Sequence, residues 1–506
     1  MSGAEEIFLS KSRFIAGTQC YKQLWWRVHE PDAPELAPGR ALQSRFDQGT
    51  EVGRLARRYV PPGELIDAPF WDLDGKISAT YAALGRELPA PTLYEATFCA
   101  DRTYAQVDIL EHIRSPVLHG QPLRTFSLIE VKATNRLKPE HIKDVALQVH
   151  VARSSGVVIE RAEVMHLNPE CQYPDLGNLF VRDDVTALVE GALLDIPGEI
   201  AVQRDMLHGP LPEVSVGDHC RRPYDCPFVE RCWQFPKHHV STLYRIPRKQ
   251  VVDYESLGYE TIGDLPTDLE LNVIHARQVR AVRSGQMVVE PTLGSGLREF
   301  VAPLAFLDFE TVSLALPVWE GCRPWEMIPA QFSCHVEHRA RLTHFDWIAT
   351  GSADPRPAIA EAVVRACAGA RSVVAYYANF ERDCLRRLAR AVPALAPELN
   401  DVAERLVDLL PLVRNHIYHP DFGGSFSIKR VLPALVPGLS YADLAIGEGE
   451  LASVELMRLM FDERMSGDER TRLRENLLRY CERDTWAMVK LWQRITGLVG
   501  GQLELF

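Results

Sequence analysis

The sequence predicts an α/β protein, and three observations carry that expectation. Short apolar runs, LAFLDFET (residues 304–311) and RSVVAYY (371–377), have the length and composition of buried strands. The segment ERTRLRENLLRYCERDTWAMVKLWQRI (469–495) repeats its apolar residues at helical spacing. Upstream, TYAQVDILEHI (103–113) and FSLIEVK (126–132) read as strands, and a helix is expected to start near Pro139, a residue favoured in a first helical turn. Strands alternating with helices make mixed sheets flanked by helices.

A chain of 506 residues supports two or three domains with their own cores. Apolar residues make up 46% and charged residues 25%, as in soluble globular proteins. No run approaches eighteen consecutive apolar residues, so no membrane span is expected. The start, MSGAEEIFLSKSRF, is acidic and lacks the apolar centre of a signal peptide, which makes the cytoplasm the expected compartment. The net charge of −12 gives no basic domain, although a local basic groove can sit on an acidic body. Three zones are expected: residues 1–240, a polar helical connector over 241–300, and residues 301–506.

Inside the strand LAFLDFET, Asp308 and Glu310 lie two apart and project from one face, while Phe309 points to the other. Two neighbouring carboxylates repel and resist desolvation, unless a divalent cation sits between them. Oxygen ligands of this kind suit Mg²⁺ or Mn²⁺. The bland alternative is an edge strand with a solvated polar face. Further on, VVAYYANFERDCL (373–385) runs from a strand into a helix start carrying Glu381, and YCERDTWAMVKLW (480–492) sets Tyr480 and Asp484 on one helical face.

This order, strand DxE, then Asn-x-Glu at a helix start, then helical Tyr-x-x-x-Asp, resembles the DnaQ-like DEDD exonucleases of the RNase H-like fold. The resemblance implies that Asp308, Glu310, Glu381 and Asp484 bind two cations and that Tyr480 orients the attacking water. Glu381 departs from the family, which normally has aspartate there. Asp408 in RLVDLLPLV falls where a third strand is expected. GGSFSIKRVLPAL (423–435) resembles the following helix start, with Ser427 and Lys429 in reach of a phosphate. PAQFSCH and HPDFGGSFSIKRVLPAL together resemble an uncharacterised bacterial domain family of this fold, commonly fused behind RecB-like nucleases.

That fusion directs attention upstream. Asp108 lies in the strand 103–113, and Glu130 and Lys132 share one face of the next. Asp…Glu-x-Lys is similar to the PD-(D/E)xK signature of RecB-like nucleases, with a restriction-endonuclease-like fold. The resemblance implies that Asp108 and Glu130 hold Mg²⁺, that Lys132 positions the water and that Gln148 contributes from the following helix. Two departures stand out: Ala152 replaces a tyrosine, and Gly53 in FDQGTEVGRLARR replaces a metal-binding histidine. Glu95 in LYEATF is an auxiliary acid or a solvated strand residue.

Eleven cysteines in a reducing compartment point to metal or catalysis where they cluster. HCRRPYDCPFVERCW holds Cys220, Cys226 and Cys232, spaced more widely than the C-x₂₋₄-C pairs of zinc sites. His238 as a fourth zinc ligand stays open. Soft thiolates also suit iron–sulfur clusters, which take four cysteines. RecB-like nucleases of the AddB and CRISPR-associated type have one cysteine near the start and three after the nuclease core, which implies Cys20 as the fourth ligand of a 4Fe-4S cluster. The connector piece SLGYETIGDLP resembles half of a helix-hairpin-helix; a plain loop is the alternative.

The expected function is metal-dependent hydrolysis of nucleic acid, DNA rather than RNA, in repair, recombination or defence. The C-terminal domain is expected to act as a 3′-to-5′ exonuclease. The rival readings are a nucleic-acid-binding scaffold with an inactive N-terminal half, and a zinc-stabilised regulatory protein.

Overall fold

The computed structural model describes residues 7–503 except 70, 88, 115, 119, 120, 339 and 340. It is a mixed α/β structure with two compact units. The first comprises Met1–Gln234 and Leu314–Glu326, the second Phe235–Ser313 and Met327–Phe506. The stretch read as a connector, 241–300, groups with the second unit and is largely helical, with helices Arg248–Ser256 and Val273–Ser284.

The first unit is built on a sheet in the order β2 (Glu64–Leu65), β3 (Thr92–Ala100), β4 (Thr103–Arg114), β7 (Thr125–Lys132), β8 (Val158–Leu167) and β9 (Phe180–Asp184). The short β1 (Leu9–Ser10) runs parallel beside β4, and a small hairpin of β5 (Val117–Leu118) and β6 (Gln121–Pro122) lies off the sheet. β3, β4 and β7 are antiparallel neighbours, whereas β7 and β8 are parallel and joined by the helix Pro139–Ser154. That crossover is what parallel strands require. The helix brings Val145, Leu147, Val149 and Ala152 into the core, all essentially without solvent contact. Leu314–Glu326 is fastened within this unit by several hydrogen bonds, among them one near each end. Trp325 Nε1 donates to the Ala133 carbonyl at 2.6 Å, and the Ala315 N–H donates to Gln48 Oε1 at 2.7 Å.

In the second unit the sheet order is β13 (Arg341–Ile348), β12 (Met327–His338), β11 (Leu304–Ser313), β14 (Ser372–Ala375) and β15 (Leu406–Asp408). The first three strands form an antiparallel meander; β14 and β15 continue parallel to β11. Ala305, Leu307 and Phe309 face a core shared with Ile359, Val363, Leu385, Leu388 and Leu399 from the crossover helices. Phe306, Asp308 and Glu310 therefore face the other way, toward helices Gly449–Phe461 and Gly467–Leu503. A further pair, β10 (Val288–Val289) with β16 (Ile417–Tyr418), joins the former connector to the rest of this unit.

Arg277 secures that junction. Its side chain is 1% exposed; Nε donates to Glu290 at 2.8 Å, and the two terminal nitrogens donate to the carbonyls of Arg414 and Asn415. Glu290 keeps Arg280 as a partner, so truncating Arg277 costs chiefly the bonds to the Arg414 and Asn415 carbonyls, about 1–3 kcal/mol. Arg277→Ala is therefore expected to lower the unfolding free energy of this unit by about that amount, read as a reduced midpoint in urea titration; an unchanged midpoint would contradict the assignment.

Candidate functional site

The alternation of β11 sets Asp308 and Glu310 on the face covered by the long helix Gly467–Leu503, which supplies Asp484 and Tyr480. A register shift follows Glu310, where Thr311 pairs with Pro329 instead of Ala330. Among the described residues, one carboxylate oxygen each from Asp308, Glu310 and Asp484 lie within 4.8 Å of one another. Glu381 is outside that trio but beside it, since its charge is felt by Asp308 and Glu310. Its Oε2 is buried without a hydrogen-bond partner.

The electrostatics are those of a crowded, largely buried site. Burial pushes Asp308 and Glu310 well above the usual carboxylate range, and Asp484 is the strongest like charge on each. Glu381 is raised to about 8, first by burial, with Asp408 and Asp484 adding to it. Asp484 rises to about 6 through burial, opposed by the Tyr441 hydroxyl, Lys429 and Tyr480. Tyr441 donates to Asp484 Oδ1 at 2.5 Å. Lys429 Nζ stands 5.5 Å from the Tyr441 ring centre and 5.4 Å from that of Tyr480. The Cys481 thiol lies 3.6 Å from Asp308 Oδ2.

Two supports hold the acids in place. Tyr377, after β14, adopts a left-handed φ of 77°, and its N–H donates to Asp408 Oδ1 at 2.9 Å. Such a conformation costs on the order of 1–3 kcal/mol, so it persists only where contacts enforce it. Asp408 also caps the next helix through the Leu410 N–H, and so it anchors the turn that delivers Glu381. Ser427 precedes the helix Ile428–Leu435 as its cap residue without a side-chain capping bond. A cation fits the carboxylate group: oxygen donors converge, their mutual repulsion is only partly offset by Lys429, and one buried oxygen is orphaned.

The first unit has a second constellation, in which cations of the chain offset most of the acids. The pairing of β3 with β4, and of β4 with β7, sets Glu95, Asp108 and Glu130 on one level across three strands. Glu130 Oε1 accepts from both Lys11 and Lys132 at 2.7 Å, and Oε2 accepts from Gln148 at 2.7 Å. Lys132 also pairs with Asp144, which Gln148 Nε2 reaches at 3.2 Å. Despite burial, the two lysines hold the Glu130 carboxyl well below its usual range. Asp108 is pushed up to about 8 by burial and then by Glu130, while its Oδ2 accepts the Val131 N–H at 2.7 Å. Glu95 is half-buried and paired: Arg57 and Gln106 each donate to it at 2.7 Å. Gly53 faces open space, and Ala152 is sealed in the core.

Lys11, Asp144 and Tyr441 were not singled out from sequence. Asp144 carried a usable signal, since it lies four residues before Gln148 and so on the same helical face. Lys11 and Tyr441 are delivered by tertiary structure alone.

Cys20 closes one helix and opens the next, and the structure brings it into electrostatic range of Cys220, Cys226 and Cys232. Burial pushes the Cys226 thiol up to about 11, and the other three cysteines add to the shift. All four are free thiols. Four soft donors converging from residues two hundred apart fit a bound metal or cluster. Among the described residues, the cysteines are not among the groups with donor atoms within 4.8 Å of one another. His238 has Lys237 and Asp421 as its charged neighbours.

Comparison with known families finds a match to a domain of unknown function, DUF2779, over residues 305–427. That stretch holds Asp308, Glu310, Glu381 and Asp408, and ends before Tyr480 and Asp484. No curated protein matches. Among solved structures, one described as "Crystal structure of SSO0001" aligns at 10% identity with a TM-score of 0.22, covering 46% of this chain and 87% of that one. No described helix is long and apolar enough to cross a membrane.

The raised carboxylates fix the sign of a pH effect. In chelator they bind more protons folded than unfolded, so their contribution to stability falls as pH rises from the ordinary carboxylate range, about 4, toward 8. Asp308→Asn is expected to melt higher than wild type at pH 8 in EDTA, with the gap closing toward pH 5. Mg²⁺ or Mn²⁺ is expected to raise the wild-type melting temperature and leave the variant's unchanged. A gap that widens on acidification would overturn this account of the site.

Proposed function

We propose that this chain is a metal-dependent nuclease whose C-terminal carboxylates, Asp308, Glu310, Glu381 and Asp484, form an RNase H-like DEDD site acting on DNA. The observation that carries the reading is the convergence of three of these acids within 4.8 Å in a buried place with little cationic compensation. Divalent cations held there would activate a water and stabilise the departing alkoxide of a phosphodiester. The chain's own groups do the rest. Tyr480, beside Asp484, can hold the attacking water by a hydrogen bond from its un-ionised hydroxyl. Tyr441 fixes the rotamer of Asp484. Lys429, near Glu310 and Asp484, offers a positive charge to a scissile phosphate. A 3′-to-5′ exonuclease of the cytoplasm, serving repair, recombination or defence, fits this arrangement.

In the same reading the first unit is a restriction-endonuclease-like, RecB-type domain. Asp108 and Glu130 would hold its cation, with Lys132 and Gln148 beside them, and Cys20, Cys220, Cys226 and Cys232 would carry a 4Fe-4S cluster that contributes folding energy. One observation favours a second version for this half. Glu130 is already satisfied by Lys11, Lys132 and Gln148, which suits a domain that grips nucleic acid without cutting it.

A nuclease assay with Mg²⁺ or Mn²⁺ on labelled single- and double-stranded DNA and RNA separates these versions. Asp308→Ala is expected to lose at least a hundredfold in rate, and Lys132→Ala less than threefold if the first unit only grips. Loss confined to Lys132→Ala would move the activity to the first unit, and two fully active variants would refute both sites. The purified protein is expected to be brown and to contain acid-labile sulfide; Cys226→Ser is expected to be colourless. A colourless wild type carrying zinc would replace the cluster.

A further inference from the structure

A second group of converging ligands lies on the same sheet face as the carboxylate site and is not used by it. His335 of β12 and His344 of β13 are direct cross-strand partners, and His335 lies two residues along from Ser333, which pairs with Asp308. Glu482 approaches them from the long helix. One nitrogen of each imidazole and one Glu482 oxygen lie within 4.8 Å of one another, and His344 Nδ1 is 4.0 Å from Glu482 Oε1. Asp346 Oδ2 is also 4.0 Å from that nitrogen.

The protons around these rings can be traced. Thr485 Oγ1 contacts the Glu482 carbonyl at 3.1 Å, and a carbonyl only accepts, so this contact uses the single hydroxyl proton. With the hydroxyl proton on that carbonyl, Thr485 Oγ1 accepts at its two other contacts, from His335 Nδ1 at 2.8 Å and Ser333 Oγ at 2.7 Å. Ser333, having given its proton to Thr485, accepts from His344 Nε2 at 2.9 Å. The chain of bonds leaves the lone pairs on His335 Nε2 and His344 Nδ1. The two rings stack with centroids 4.4 Å apart, and one nitrogen of each stands close enough to a Glu482 oxygen for a single cation to join the three after a small side-chain adjustment. Metal-binding histidines usually donate their other ring N–H to a carboxylate, backbone carbonyl or water, a part taken here by the Thr485 and Ser333 hydroxyls.

We propose that His335, His344 and Glu482 form a separate binding site for a transition-metal ion of the zinc class. Two imidazoles and a carboxylate are the donor set such an ion prefers, unlike the all-oxygen carboxylate site. Zinc–ligand bonds of about 2.0–2.1 Å place tetrahedral ligands about 3.4 Å apart, so a small inward side-chain movement closes the site. His335 and Glu482 also line a cavity of about 490 Å³ with Arg479, Arg483 and Trp486, from which a fourth ligand can enter. The ion would pin the β12–β13 edge to the long helix less than one turn before Asp484. This inference does not rest on the nuclease reading.

The test is a zinc titration of full-length protein carrying Asp308→Ala, which silences the carboxylate site, followed by the same titration after adding His344→Ala or Glu482→Gln. The Glu482 side chain is 50% exposed, so its conservative change leaves the fold intact and covers the case in which His344→Ala misfolds. Either added change is expected to remove one equivalent of bound Zn²⁺, or to weaken it at least tenfold. X-ray absorption of the zinc-loaded Asp308→Ala protein is expected to show a contribution from imidazole nitrogen that Glu482→Gln reduces. Equal stoichiometry and affinity in Asp308→Ala and in Asp308→Ala with Glu482→Gln would overturn the proposal.

Discussion

The second unit depends on one unfavourable circumstance: carboxylates from a strand, a helix start and a long helix share a buried space. Isolated burial of a single ionised carboxylate is already unfavourable, and crowding several makes it more so. The protein tolerates this because each acid is held by a well-packed element. β11 is central, with Leu307 and Phe309 locked into the core behind Asp308 and Glu310. Asp408 ties down the left-handed turn that presents Glu381, and Tyr441 holds Asp484. The fold stores repulsion that a bound cation can relieve, and the same rigidity keeps the acids from turning away.

The first unit solves a similar problem in the opposite manner. There Glu130 is matched by lysines from the chain itself, one on the same strand and one from the N-terminal helix. Its charge is satisfied before any ligand arrives. Acids at comparable strand positions thus have one nearby lysine, Lys429, in the second unit, and two lysines bonded directly to Glu130 in the first.

Much of this was legible in sequence because strand and helix periodicity fix facing directions. The two-residue spacing of Asp308 and Glu310, the same spacing of Glu130 and Lys132, and the four-residue spacing of Tyr480 and Asp484 each predict a shared face, and each pair meets in the fold. What was not legible depends on contacts between distant segments. Lys11 reaches Glu130 across more than a hundred residues, and nothing around KSRF marks it out. Tyr441 sits in a loop without periodicity. His335 and His344 become partners only through the register of the β12–β13 hairpin. The segment 241–300 reads as polar linker because its few apolar anchors, Leu243, Val251, Tyr254, Ile262, Leu265 and Val279, are spread over short elements and meet only in the fold, beside a buried arginine.

The excursion Leu314–Glu326 bears on how the molecule can be dissected. β11 and β12 are adjacent antiparallel strands, with Ser313 opposite Met327, yet the chain between them belongs to the first unit. The polypeptide thus changes unit more than once, and severing it after Gln234 does not yield two self-sufficient fragments. A C-terminal fragment would carry Ala315 and Trp325 without Gln48 and Ala133, their hydrogen-bond partners. The hairpin that bears Asp308 would then be closed by an orphaned loop, so a truncated protein would report on that loop as much as on its chemistry.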